Sequence, residues 1–161
     1  MLTLWIALTF ISTAGNLANA QHPNPATHDR GAMVMGFDQA ATVHHFYLYE
    51  DGGAIDIGVK DAADTANRDK VRAHLPHIAS MFAAGDFNAP MLVHDTRDVP
   101  GTSTLASLKS DISYAYVDTP AGGRVNIVTT NKAALAAVHQ FLTYQIREHH
   151  TGDATTLRIR K

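Results

Sequence analysis

An α+β fold follows from three observations on this sequence of 161 residues. Two stretches alternate apolar and polar side chains on either side of a glycine pair, and they are rich in β-branched and aromatic residues, as β-hairpins are. Each is followed by a capped segment whose apolar residues recur at helical spacing. The halves also correspond: Gly52-Gly53-Ala54-Ile55-Asp56-Ile57 matches Gly122-Gly123-Arg124-Val125-Asn126-Ile127, and the units end on Gly85-Asp86 and Gly152-Asp153. The expected architecture is two ββα units forming a four-stranded antiparallel sheet with two helices on one face.

Residues 1–20 read as a signal peptide. Residues 2–11 are apolar apart from Thr3 and Thr9, a run too short for a permanent membrane anchor. Ala18 and Ala20 occupy the −3 and −1 positions of a cleavage site before Gln21. The run departs from the usual signal in having no Lys or Arg before it. The expectation is a periplasmic or secreted protein without a stable membrane anchor after cleavage. Residues 21–40 form a polar leader with two prolines and then an arm, in which 31–37 is either a short edge strand or a segment packed on the sheet.

The duplicated domain spans 41–153. Residues 42–49 alternate as a strand. Glu50-Asp51-Gly52-Gly53 is a turn signal whose glycines can take positive φ, and 54–60 alternates again. Asp64 or Thr65 caps the first helix. Its stripe is Val71, Leu75, Ile78 and Phe82, Pro76 is expected to kink it, and Gly85 ends it. Residues 86–110 read as a long irregular connection in which 91–94 is a short strand. A second hairpin follows, with strands at 112–117 and 124–130 around a turn at 118–123. Asn131 then caps a helix over 132–149 with the stripe Leu135, Val138, Leu142 and Ile146, ended by Gly152. Residues 154–161 are a basic tail.

Strand parity directs Phe46, Leu48 and His44 toward the helices. His45, Tyr47, Tyr49 and Asp56 share the opposite, open face. An aromatic face of that kind needs a cover, supplied by the long connection, the arm or a second subunit.

Composition narrows the chemistry. The net charge of −2 leaves no basic stripe for nucleic acid. Cysteine is absent, so there are no disulfides, thiolate metal sites or Cys nucleophiles, and any metal would be held by His, Met or carboxylate. No Gly-x-x-x-x-Gly-Lys-Ser/Thr loop, Gly-x-Gly-x-x-Gly loop, Gly-x-Ser-x-Gly elbow or His-Glu-x-x-His motif occurs.

Histidine is in excess, at ten residues, and imidazole is the commonest metal ligand. His74 and His77 stand three apart on the first helix, with Met81 one turn beyond, so they form a strip flanking its core stripe. His44 on the neighbouring strand is the third candidate, and His94 or His149 completes a four-coordinate site. At the position of His74 and His77 the second unit has Phe141 and Tyr144, so a ββα unit does not itself require imidazoles there. Adjacent strand residues face opposite ways, which excludes His45 from the site of His44. His149-His150 could instead serve the helix dipole, and His22 and His28 lie in the leader. Met33 and Met35 form a Met-x-Met pair in the arm; thioether with imidazole suits copper, Cu(I) above all, although Met is also ordinary core filler.

Met35-Gly36-Phe37-Asp38-Gln39, Thr42-Val43-His44-His45-Phe46, His74-Leu75-Pro76-His77-Ile78, Asn88-Ala89-Pro90-Met91 and Gly122-Gly123-Arg124-Val125 together resemble an uncharacterised family of small exported bacterial proteins. Some of its members carry the label aspartate carbamoyltransferase. The chain lacks the Ser-Thr-Arg-Thr phosphate loop of that enzyme and is too short for its two α/β domains, so the resemblance carries no catalytic residue over.

The expected function is non-catalytic binding of a transition-metal ion, copper ahead of zinc, through His44, His74, His77, His94, His149 and Met81. The alternative is a small-molecule-binding module or a homodimer using the Tyr47/Tyr49 face. An enzyme built on a His–Asp pair stands behind both.

Overall fold

In the computed structural model, which describes residues 33–160, two hairpins pair through their second strands. Strands β1 (Thr42–Tyr49) and β2 (Gly52–Val59) form the first hairpin, and β3 (Ile112–Thr119) and β4 (Gly122–Thr129) form the second. Their order in the sheet is β1-β2-β4-β3, antiparallel throughout. Ile55 faces Val125 at the centre, flanked by Ile57 opposite Gly123 and Gly53 opposite Ile127. The expected α+β architecture is therefore the observed one. The signal peptide, the leader and the first two residues of the arm lie outside the described residues. Among the described residues no helix is long and apolar enough to cross a membrane.

Two long helices, α1 (Thr65–Ala83) and, after two short helices, α4 (Lys132–Glu148), cover one face of the sheet. Each lies mainly over the other unit's hairpin: α1 over β3 and β4, α4 over β1 and β2. The caps are local. Asp64 accepts a hydrogen bond from the Asn67 amide at 3.0 Å, and Asn131 accepts from the Ala133 and Ala134 amides. Side chains then pin each helix to the hairpin beneath it. Arg72 donates to the carbonyls of Thr119 and Gly122, and His139 Nε2 donates to those of Tyr49 and Gly52.

The glycine pairs lie inside the strands rather than in the turns, which are reduced to Glu50-Asp51 and Pro120-Ala121. Only Gly52 uses the left-handed region, at φ +145°. The requirement at Gly53 and Gly123 is close approach. A Cβ on Gly53 would stand 2.2 Å from Leu142 Cδ1, and one on Gly123 would stand 2.6 Å from the Tyr116 ring and 3.1 Å from Leu75 Cδ1. The expected stripe of α1 is buried throughout; in α4, Leu135 is only half-buried, and Ala134, Ala137, Phe141 and Gln145 join the buried face.

Two expectations are corrected. The irregular connection contains α2 (Asn88–His94), α3 (Thr102–Ser107) and a 3₁₀ turn (Lys109–Asp111), so 91–94 is helical rather than a strand. Pro90 is tolerated because it stands in the first turn of α2, where its missing N–H has no intrahelical partner to lose. The arm is not an edge strand: residues 33–35 are helical, and Phe37 is buried against the helices' side of the sheet. Pro76 lies within α1, which is one continuous helix over Thr65–Ala83.

The basic tail belongs to the fold. Asp153 accepts from His45 Nδ1 and the Phe46 amide, both at 3.0 Å, and the Arg158 amide donates to the Leu48 carbonyl. The tail thus covers the outer edge of β1, which would otherwise present unpaired backbone groups. Arg158 lies over the Tyr47 ring and Arg160 over Tyr49, at 4.8 and 4.3 Å. Arg160 also forks onto Asp51. The cover of the open face comes in part from the chain's own C-terminus.

Two outcomes are expected. Gly53→Ala lowers unfolding free energy by about 1–3 kcal/mol through overpacking, and in denaturant titrations the double variant with Leu142→Ala costs less than the two changes summed. Asp153→Ala removes a nearly buried carboxylate that satisfies two donors; it costs about 1.5–3 kcal/mol and speeds hydrogen exchange at the Phe46 amide.

Candidate functional site: a histidine-lined cavity

Between α1 and α4, over β1 and β2, the helices leave a gap that α2 and the arm roof over. The cavity there has a volume of about 60 Å³ and a wall that is mainly aliphatic and aromatic, which is room for a few water-sized groups. Four imidazoles from four parts of the chain line it: His44 from β1, His74 from α1, His94 at the end of α2, and His149 just past α4. No Asp or Glu does.

His149 is the centre of the cluster. Its ring centroid lies 5.2 Å from that of His44, nearly parallel to it, and 5.0 Å from that of His94, nearly perpendicular to it. Phe46 approaches it at 5.5 Å. Phe37 links the remaining pair, 6.1 Å from His44 and 5.7 Å from His74. His94 Nε2 donates to Gln145 Oε1 at 3.0 Å, so its Nδ1 carries the lone pair. The Gln145 Nε2 is buried without a protein partner.

Of the six residues expected to bind metal, His44, His74, His94 and His149 meet at this cavity. His77 and Met81 do not: His77 is exposed and Met81 packs on the core elsewhere. Helix geometry accounts for both. At about 100° per residue His77 lies roughly 60° farther from the stripe than His74, and Met81 lies roughly 10 Å along the axis from it. His45 faces the tail, as parity requires. Among the described residues no three His, Asp or Glu side chains stand at the spacing of one metal ion; the rings pack against one another rather than converge.

Two lining groups stood outside the expected ligand set, although Met35 belongs to the Met-x-Met pair noted in the sequence. Gln145 falls within the apolar stripe of α4, one turn from Leu142, and a lone amide on such a stripe is a signal that could have been used. Met35 reaches the cavity from the arm, which periodicity does not place.

Two of the four imidazoles, His74 and His149, are held uncharged near neutrality. Burial pushes His149 well below the usual imidazole range, and the neighbouring His44, His94 and His150 add to this. Burial, assisted by His77, lowers His74 to about 4. Neutral imidazole is the form that binds metals. No protein-family model, curated protein or solved structure matches the chain.

The pH dependence follows from the sign of these shifts. Unfolded histidine binds a proton near pH 6.5, whereas folded His74 does so near 4. Between these values the unfolded state holds more protons, so stability present above pH 6.5 is lost as pH falls toward 4. Denaturation midpoints should fall across that window, and less steeply in His74→Phe.

Proposed function

We propose that the protein is an exported, non-catalytic binder of a transition-metal ion, copper or zinc, held by the imidazoles of the cavity. One observation carries the reading: four histidines, distant in sequence, line a single apolar cavity, and two of them, His74 and His149, are held uncharged there. Packing alone would be served by apolar side chains, as at Phe141, which lines the same cavity. In the ββα correspondence Phe141 occupies the position of His74. Two imidazoles bound to one ion at about 2 Å have centroids roughly 5 Å apart. The His149 pairs already have that spacing, so ligation needs the rings to turn rather than the backbone to move. The hydrogen bond from His94 to Gln145 is of the kind that orients a ligating imidazole from its far side.

The open-face alternative has weaker support, because Arg158 and Arg160 of the same chain already occupy Tyr47 and Tyr49.

Elemental analysis of protein purified from its native compartment should find copper or zinc near one per chain. A metal present at 100 times its dissociation constant adds about 2.7 kcal/mol, a rise in melting temperature of roughly 5–10 °C for a domain of this size. His94→Ala and His149→Ala should abolish the rise. Unchanged melting across a panel of Cu(I), Cu(II), Zn(II), Ni(II) and Co(II) sinks the reading.

A further inference from the structure

We propose that the ion is Cu(I) and that the Met35 thioether is one of its ligands, alongside His94 and His149. The inference rests on the metal reading above and adds the charge class of the ion and a donor from the arm.

Charge is the first consideration. Solvation free energy scales with the square of charge, so a divalent ion costs about four times as much as a monovalent one to bring into an apolar cavity, unless carboxylates compensate it. The polar side chains at this cavity are imidazoles and the Gln145 amide, and among the described residues no Asp or Glu lines it. Zinc sites in proteins normally draw four donors around the ion. Among the described residues no three His, Asp or Glu groups stand at the spacing of one ion, whereas Cu(I) is stable with two or three donors and takes soft ones.

The second consideration is which sulfur is available. Met33 is 87 % exposed, and Met81 and Met91 pack elsewhere. Met35 alone among the described methionines lines the cavity. Its position is supported on both sides. The Gln39 Nε2 donates to Met35 Sδ at 3.5 Å, and Phe37, which is 2 % exposed, anchors the arm between the rings of His44 and His74. Met35 itself is half-buried, so the residue belongs both to the cavity wall and to the surface. Thioether and imidazole together form the donor set that favours Cu(I) over Zn(II).

The test uses the full chain, titrated without oxygen with Cu(I) against a chromogenic Cu(I) chelator, and separately with Zn(II). X-ray absorption at the copper edge reads the donor atoms. The expected result is one Cu(I) per chain, bound more tightly than Zn(II), with a copper–sulfur shell. Met35→Leu conserves volume; it should melt like the parent, lose the sulfur shell and weaken Cu(I) by about tenfold or more. Tighter Zn(II) than Cu(I), or a Met35→Leu variant with unchanged Cu(I) affinity and sulfur shell, overturns this inference and leaves the metal reading standing. Absence of binding by either ion overturns both.

Discussion

The two long helices can rest on this sheet only where the central strands carry no side chain. Leu142 sits over Gly53 and Leu75 over Gly123, and a Cβ at those positions would stand 2.2 and 3.1 Å from their Cδ1 atoms. Close seating brings Val71, Leu75, Val138 and Leu142 to near-complete burial and sets the separation between α1 and α4. Each helix is then held by a polar side chain reaching the carbonyls beside a hairpin turn, Arg72 at one turn and His139 at the other. Apolar contact fixes the height of each helix, and these hydrogen bonds fix its position along the strands. The cavity is a consequence. At the β1 side the helices and sheet do not close, and the space is filled from above by α2 and the arm.

The residues placed around that space differ from what packing alone would select. Burying an imidazole forfeits hydration, and the cost appears as protonation held far below its ordinary pH. His149 shows the effect most strongly, because burial and two or three neighbouring imidazoles act in the same direction. Phe82 and Phe141, on the wall of the same cavity, continue into a conventional aromatic cluster with Phe87, with centroids 4.6 to 5.9 Å apart. The contrast lies within one molecule and one core. Aromatic rings fill part of the wall and imidazoles the rest.

How much of this was legible depends on the length of the pattern. The hairpins and long helices repeat their periods several times, so strands, caps and core stripes could be read from residues such as Phe46, Asp64, Leu75 and Leu142. Helix α2 is seven residues long, less than two full turns, so its residues 91–94 read as a strand. Parity correctly put His44 under the helices and His45 outside. The wheel correctly kept His74 near the core, but it gives direction without height, so it could not separate Met81 from it. The tail was more legible than a basic composition suggests. Arg158 and Arg160 stand two apart, as do Tyr47 and Tyr49, and in extended chain that spacing puts each pair on one side. Two cations at the pitch of two aromatic rings form a stacking pattern as well as a charge run.

The edge of β1 joins the two faces. His44 points into the cavity and His45 away from it; His149 lies against His44, and Asp153, four residues on, reaches His45. To pass from one face to the other the chain turns sharply, with left-handed conformations at His150 (φ +49°) and Gly152 (φ +73°). At a non-glycine residue this conformation costs about 1–2 kcal/mol. It is held by backbone bonds from His150 to Arg147 and from Thr151 to Ile146, and on the far side by the carboxylate of Asp153. The position of His149 is therefore set from two directions, by the helix that ends before it and by the tail fastened after it. A site of packed imidazoles needs such restraint. A ring at the frayed end of a helix would otherwise sample solvent, and the cavity would lose the residue around which its other three histidines are arranged.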